Sequence, residues 1–220
     1  NYWRRFKQKI DRKSNFEQYI LLFKFGQDQP TTSSFNQFTR MLPPKDRFWA
    51  DPFIIQKNGT YYIFIEELIY TNGLGTIGVI KMDEEGNYAS PQMVLEKDYH
   101  LSYPFLIEAN NELYMIPESN ANNTIQLYKC VDFPIKWELE EIIMNDVQAV
   151  DTTVYFHNDR YWLFTNMKEH PGISGYDELF LFYSDRLVAG KWVAHPQNPI
   201  VSDVRRARPA GGIFSENGKL

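Results

Sequence analysis

The sequence predicts an all-β fold built as a β-propeller, and three observations carry that expectation. A strand-opening motif, Asp46-Arg-Phe-Trp-Ala-Asp-Pro-Phe53, returns in altered form at Tyr103-Pro104-Phe105, Asp151-Thr152-Thr153 and Arg208-Pro209-Ala210. Position 52 aligns with 104, 152 and 209, a period of about 50 residues that accommodates four short strands and their turns. Aromatic residues form 16% of the 220, with 14 Tyr, 16 Phe and 5 Trp, a bias that suits strands packed face to face.

Taken in order, Asn1 to Asn15 is basic and places Trp3, Phe6 and Ile10 at helical spacing, so a short amphipathic helix with a solvated basic face is expected. Phe16 to Phe25 reads as a buried strand that completes the last blade and seals the ring, giving residues 1–45 an N-terminal helix and a closing strand. Blade one covers 46–99. Lys57-Asn58-Gly59 turns into the strand Tyr61 to Ile65, followed by strands at Thr76 to Met82 and Gln92 to Glu96. Blade two covers 100–149, with Asn110-Asn111 as its first turn and outer strands at Thr124 to Cys130 and Trp137 to Ile143. Blade three covers 150–205, turns at Asn158-Asp159 and carries a longer insert from Met167 to Asp177. A fourth blade begins at 206–220 and is cut off at Asn217-Gly218, so about three and a half blades of one domain are expected.

Composition excludes several classes of function. The chain is 43% hydrophobic and 23% charged, enough for a folded core. A net charge of -5 and a pI near 5.4 give no global attraction to nucleic acid or anionic membranes. The lone Cys130 excludes an intramolecular disulfide framework and is expected to be a buried core thiol. No apolar run approaches the roughly 18 residues of a membrane span. No signal peptide is visible, which favours a cytoplasmic location.

In a propeller the innermost strands start around a common axis, so Asp51, Tyr103, Asp151 and Arg208 converge at one end of the channel. Trp49 and His100 stand near them in sequence. Aromatic faces beside carboxylates are a common way to hold a sugar, since the ring stacks and the acids accept its hydroxyl protons. Asp before Pro or Thr also braces turns, and both roles stay open for Asp51 and Asp151. Arg205, Arg206 and Arg208 either pair internally with the acids or grip a phosphate or carboxylate. The four histidines are scattered without metal-ligand spacing, and Asp83-Glu84-Glu85 lacks the alternation of a calcium loop. No metal and no cofactor are expected. Gly73-Leu-Gly75 is read as a hairpin turn rather than a phosphate loop.

Ala50-Asp51-Pro52 together with Val150-Asp151 resembles the five-bladed propellers of family 43 glycoside hydrolases. That resemblance implies a general base at Asp51, an orienting and pKa-tuning acid at Asp151, and a general-acid Glu opening blade four. Here blade four opens with Arg208, and arginine does not donate a proton at neutral pH. A hydrolase on this frame would need Glu118, or Glu66 or Glu67, as its acid. Wider strings, among them Pro43 to Phe53, His100 to Phe105, Ile116-Pro-Glu-Ser119, Ala149 to Thr153 and Ser202 to Gly211, are similar to the N-terminal propeller domain of glucosamine inositolphosphorylceramide transferases and of bacterial relatives. The resemblance implies a domain beside a fused or associated transferase. The expected function is sugar or glycan binding in a polar central pocket lined by Trp49, Asp51, His100, Tyr103, Glu118, Asp151 and Arg208. A glycosidase using Asp51, Asp151 and Glu118, and a structural scaffold with a filled channel, are the alternatives.

Overall fold

The computed structural model describes residues 18–26, 36–168 and 174–213. The helix expected over Asn1–Asn15, residues 169–173 of the insert and the turn at Asn217-Gly218 lie outside them. The fold is all-β. Three four-stranded antiparallel units follow one another: β3 (Arg47–Lys57), β4 (Thr60–Ile69), β5 (Gly75–Met82) and β6 (Gln92–Leu95) form the first sheet. β7 (Ser102–Ala109), β8 (Glu112–Ser119), β9 (Thr124–Asp132) and β10 (Lys136–Asn145) form the second. β11 (Ala149–His157), β12 (Arg160–Met167), β13 (Glu178–Ser184) and β14 (Val193–Ala194) form the third, where β15 (Val201–Ser202) also pairs with β13.

The sheets stack through their faces because their strands are apolar on both sides. Period two sends Phe64 of β4 toward the second sheet, where it packs with Ile77, Val79, Met115, Tyr128 and Trp137. Its neighbours Ile63 and Ile65 point the other way and pack with Leu21, Met41, Trp49, Ile80 and Met82. A third cluster, including Phe105, Ile116, Leu127, Val154 and Leu163, joins the second sheet to the third. Cys130 packs at the edge of the first of these clusters and is half-buried, less enclosed than a core thiol.

Two expectations need correction. The early strand is short: β1 (Leu21–Phe23) pairs with β2 (Thr39–Met41), and this ribbon covers the otherwise free face of the first sheet. Alternation explains its placement, since Leu21 is buried while Leu22 is exposed. The segment Arg208–Gly212 was expected to open a fourth sheet, but among the described residues it forms no strand. It is held instead by contacts to the second and third sheets.

All three inner hairpins turn in the same way. Asn58-Gly59, Asn110-Asn111 and Asn158-Asp159 have positive φ at both central positions, between 49° and 74°. This is the type I′ geometry whose twist matches that of the strands, and it favours Gly and Asn. Replacing Asn158 by alanine should cost about 1 kcal/mol, read as a lower urea midpoint with an unchanged m-value, whereas Asn158→Gly should be close to neutral.

Candidate functional site

At the opposite end from those turns, each inner strand is interrupted at the same place. The pairing of β3 with β4 breaks between Ala50 and Phe53, that of β7 with β8 between Ser102 and Phe105, and that of β11 with β12 between Val150 and Thr153. In each case two residues face one. The first residue of each bulge is left-handed: Asp51 at φ 49°, Tyr103 at 43° and Asp151 at 53°. A bulge leaves a backbone N–H without its ladder partner. Here acids from the preceding sheet accept two of these donors. Asp51 Oδ2 accepts from Tyr103 N–H at 3.3 Å, and Glu118 Oε2 accepts from Asp151 N–H at 3.3 Å.

Glu66 and Glu118 occupy equivalent positions, opposite Ala50 and Ser102, the residues just before each bulge. The third equivalent, opposite Val150, is Asn166. Its amide donates to the Glu178 and Ala207 carbonyls at 2.7 and 3.3 Å. Asn166 is fully buried, and its Oδ1 has no partner among the described residues. Glu66 is buried and meets His100 Nε2 at 3.1 Å, while His100 Nδ1 accepts from Gly75 N–H at 3.0 Å. Glu66 beside it raises the imidazole pKa, but protonation at Nδ1 would forfeit the Gly75 bond, so the neutral Nε2–H form satisfies both partners. Gly75 is required here by close approach. A β-carbon would come within 2.4 Å of the Leu101 carbonyl and 2.8 Å of the His100 ring.

Arg208 closes the site. Its Nε and Nη2 donate to the two oxygens of Asp151, which is only 2% exposed, and its guanidinium lies 4.8 Å from the centre of the Tyr176 ring. Arg205 and Arg206 do not share this role; both pair with Asp203. Tyr103 is a brace. Its hydroxyl lies 2.8 Å from Thr153 Oγ1 and accepts from Gly211 N–H at 3.0 Å, which ties the Arg208 segment to the second and third sheets. Trp49 is buried as well. Its indole N–H donates to Glu67 Oε1 at 3.1 Å, and its ring belongs to the core under β1 and β2.

A cavity of about 500 Å3 brings Asp51, Glu66 and Arg208 together with a wall that includes Tyr19, Leu22 and Phe48. Tyr19 and Phe48 meet edge to face at 5.3 Å. Of the residues expected from sequence to bind ligand, Asp51, Arg208 and the wall residue Trp49 line this cavity. His100 abuts it through Glu66, Glu118 and Asp151 stand behind Asp51 and Arg208, and Tyr103 serves as scaffold. Tyr19, Phe48, Tyr176 and Asn166 were not singled out in the sequence. Asn166 was findable, because it stands 48 residues beyond Glu118 just as Asp151 stands 48 beyond Tyr103. Among the described residues no three His, Cys, Asp or Glu side chains converge as metal ligands, and no helix is long and apolar enough to cross a membrane.

Residues 36–220 match the family described as glucosamine inositolphosphorylceramide transferase 1, N-terminal. The chain is 35% identical over 176 residues to glucosamine inositolphosphorylceramide transferase 1 of Arabidopsis thaliana and 33% identical to that of Oryza sativa subsp. japonica. Each match covers 79% of this chain and 23% of the relative, so the chain spans under a quarter of the length of the curated relatives it matches. Among solved structures, a family 43 β-1,3-galactosidase superposes with a TM-score of 0.62 at 14% identity, covering 79% of this chain and 38% of that one. The exo-β-1,3-galactanase of Phanerochaete chrysosporium gives 0.57 at 17% identity, over 72% and 40%. A family 117 glycoside hydrolase of Zobellia galactanivorans gives 0.57 at 11%, over 84% and 63%. The sheets are thus arranged as in glycoside hydrolase propellers.

Burial and neighbouring acids push Asp51 up to about 6, the neighbours being Glu66 and Asp151. Burial and Asp151 push Glu118 up to about 7. Both groups therefore hold protons more tightly folded than unfolded, and the stability they contribute is fully present below about pH 4 and is lost as pH rises through 6 and 7. The loss is on the order of 1 to 3 kcal/mol for the pair after solvent screening. Urea unfolding at pH 5 and pH 8 should show it, and the double variant Asp51→Asn with Glu118→Gln should flatten that slope.

Proposed function

The chain belongs to the family of glucosamine inositolphosphorylceramide transferase 1 N-terminal domains, and from that premise we propose that its acidic cavity binds a sugar or glycan without cleaving it. Asp51, Glu66 and Arg208 supply acceptors and a donor, and Tyr19 and Phe48 supply an apolar wall for the face of a sugar ring. The observation that carries this reading is Arg208 itself. In the repeat register of the sequence it takes the position at which the glycosidase resemblance implies a proton donor, it is always charged, and it is committed to Asp151.

On this reading the domain presents a glycan within a glycolipid-assembly protein, beside a fused or associated transferase domain that performs the group transfer. The propeller would have five blades, completed by segments beyond the three sheets. The β1–β2 ribbon supports that, because it covers the face of the first sheet on which a last blade would pack.

One observation favours hydrolysis as a second reading. A carboxyl raised to about 7, as at Glu118, is half protonated at neutral pH and suits a general acid. Calorimetry and reducing-sugar release with wild type, Asp51→Asn and Glu118→Gln separate the two. A binder should lose about ten- to a hundredfold in affinity in Asp51→Asn, the worth of a charge-assisted hydrogen bond, and none of the three proteins should release sugar. Steady turnover by wild type that disappears in both variants, with binding retained, would establish the glycosidase.

A further inference from the structure

Glu66, Glu118 and Asn166 hold one register position in three successive sheets, opposite Ala50, Ser102 and Val150. Each reaches forward to the unit that packs next. Glu66 meets the His100 imidazole ahead of β7 at 3.1 Å, and Glu118 accepts from the Asp151 N–H of β11 at 3.3 Å. In both interfaces the next unit presents a donor and the series presents a carboxyl group. The third interface is reversed. There the segment after β15 presents the Ala207 carbonyl, and the same side chain also meets the Glu178 carbonyl at the start of β13. Two acceptors call for two donors on one side chain, which a carboxylate lacks and a primary amide has.

We propose that Asn166 is the positioning residue of Arg208: its amide pins the Ala207 carbonyl and so fixes the point from which the guanidinium reaches Asp151. The inference concerns how the centre is charged and holds whatever the cavity binds. Among the described residues the backbone of 204–213 is bonded to the sheets at two places, Ala207 by Asn166 at 3.3 Å and Gly211 by the Tyr103 hydroxyl, which accepts from its N–H at 3.0 Å. Arg208 lies between these points. The ion pair does not suffice to place the segment, because the arginine side chain is about half exposed and rich in rotamers whose freedom must be given up. Ala207, by contrast, is fully buried.

Asn166 itself is fully buried, and its Oδ1 has no partner among the described residues. An unpaired buried acceptor is costly, so the amide is explained by its two donors rather than by its oxygen. Asn166 is not part of the cavity wall and acts on the site through Arg208. Asp51 faces Glu66 from β4, Asp151 from β11, the Tyr103 N–H from β7 and Arg208, and Glu118 faces Asp151, Arg208 and His100. Burial and the acids push both carboxyl groups up, and the guanidinium pulls both down. An Arg208 released from its place would leave that upward push without its counterweight.

The test is NMR on the intact protein. Asn166→Leu keeps the shape of the side chain and removes both donors. In wild type the Arg208 Nε–H should give a signal that exchanges slowly with water, because Asp151 accepts it; in Asn166→Leu that signal should disappear while the backbone signals of the three sheets remain. The Glu118 carboxyl, which titrates at about 7, should then titrate higher by about half a pH unit. Arg208→Gln should produce the same rise, and Asn166→Leu combined with Arg208→Gln should add nothing to it. Ile80→Ala, a truncation in the core of the first sheet, should lower stability without moving either readout. Lower stability in Asn166→Leu with the Arg208 signal and the Glu118 titration unchanged would overturn the proposal. If Asn166→Leu does not fold, hydrogen exchange in the wild type decides: the Asn166 Nδ2 hydrogens and the Arg208 Nε–H should exchange at matching rates, since one opening frees both. Asn166 hydrogens that stay protected while Arg208 exchanges fast would overturn it.

Discussion

The site depends on three two-against-one bulges, because they alone place a side chain and an unpaired N–H at the same end of successive sheets. Asp51, Tyr103 and Asp151 each adopt left-handed backbone geometry there, at roughly 1 to 2 kcal/mol apiece for a residue with a β-carbon. Asp tolerates that geometry better than Tyr, since its short side chain can bond locally. The strain is offset where the next sheet uses what the bulge exposes. Asp51 takes the Tyr103 N–H and Glu118 takes the Asp151 N–H, so each sheet is locked to its neighbour at the rim as well as through the core.

Arg208 gives this frame a fixed countercharge. In the glycosidase arrangement that the sequence resembles, two ionised acids and one protonated acid share the centre. Here a guanidinium neutralises Asp151 permanently, its flat face covered by Tyr176. An acid paired in this way is a poor partner for moving protons. Burial of Asp51 and Glu118 near it keeps the rest of the centre responsive to charge.

Much of the fold was legible because its signals are local and repeated. The Asn-rich turns, the period near 50 and the apolar runs that continue through both strand faces all report on backbone twist and two-sided burial, which nearest neighbours determine. The bulge register could be read for the same reason: Pro52, Pro104 and Thr152 follow the left-handed positions in step. How the rings of Trp49 and Tyr103 are held was not legible, because an aromatic beside a site looks alike in sequence whether its ring faces ligand or core. Only the hydrogen bonds to Glu67 and Gly211 distinguish the cases. Tyr19 and Phe48 escaped notice because the cavity wall joins β3 to a segment outside the repeat.

The bonds from Arg208 to Asp151 and from Gly211 to Tyr103 span 57 and 108 residues. Contacts between such distant positions form late, since the chain between them must first lose its freedom. On a ribosome adding about 5 to 20 residues per second, Asp151 emerges several seconds before the arginine that neutralises it. Through that interval the nascent chain has its acids in hand and its countercharge still to come. Water at the unfinished rim must carry the charge until that segment arrives, so the centre dries after the three sheets around it have formed.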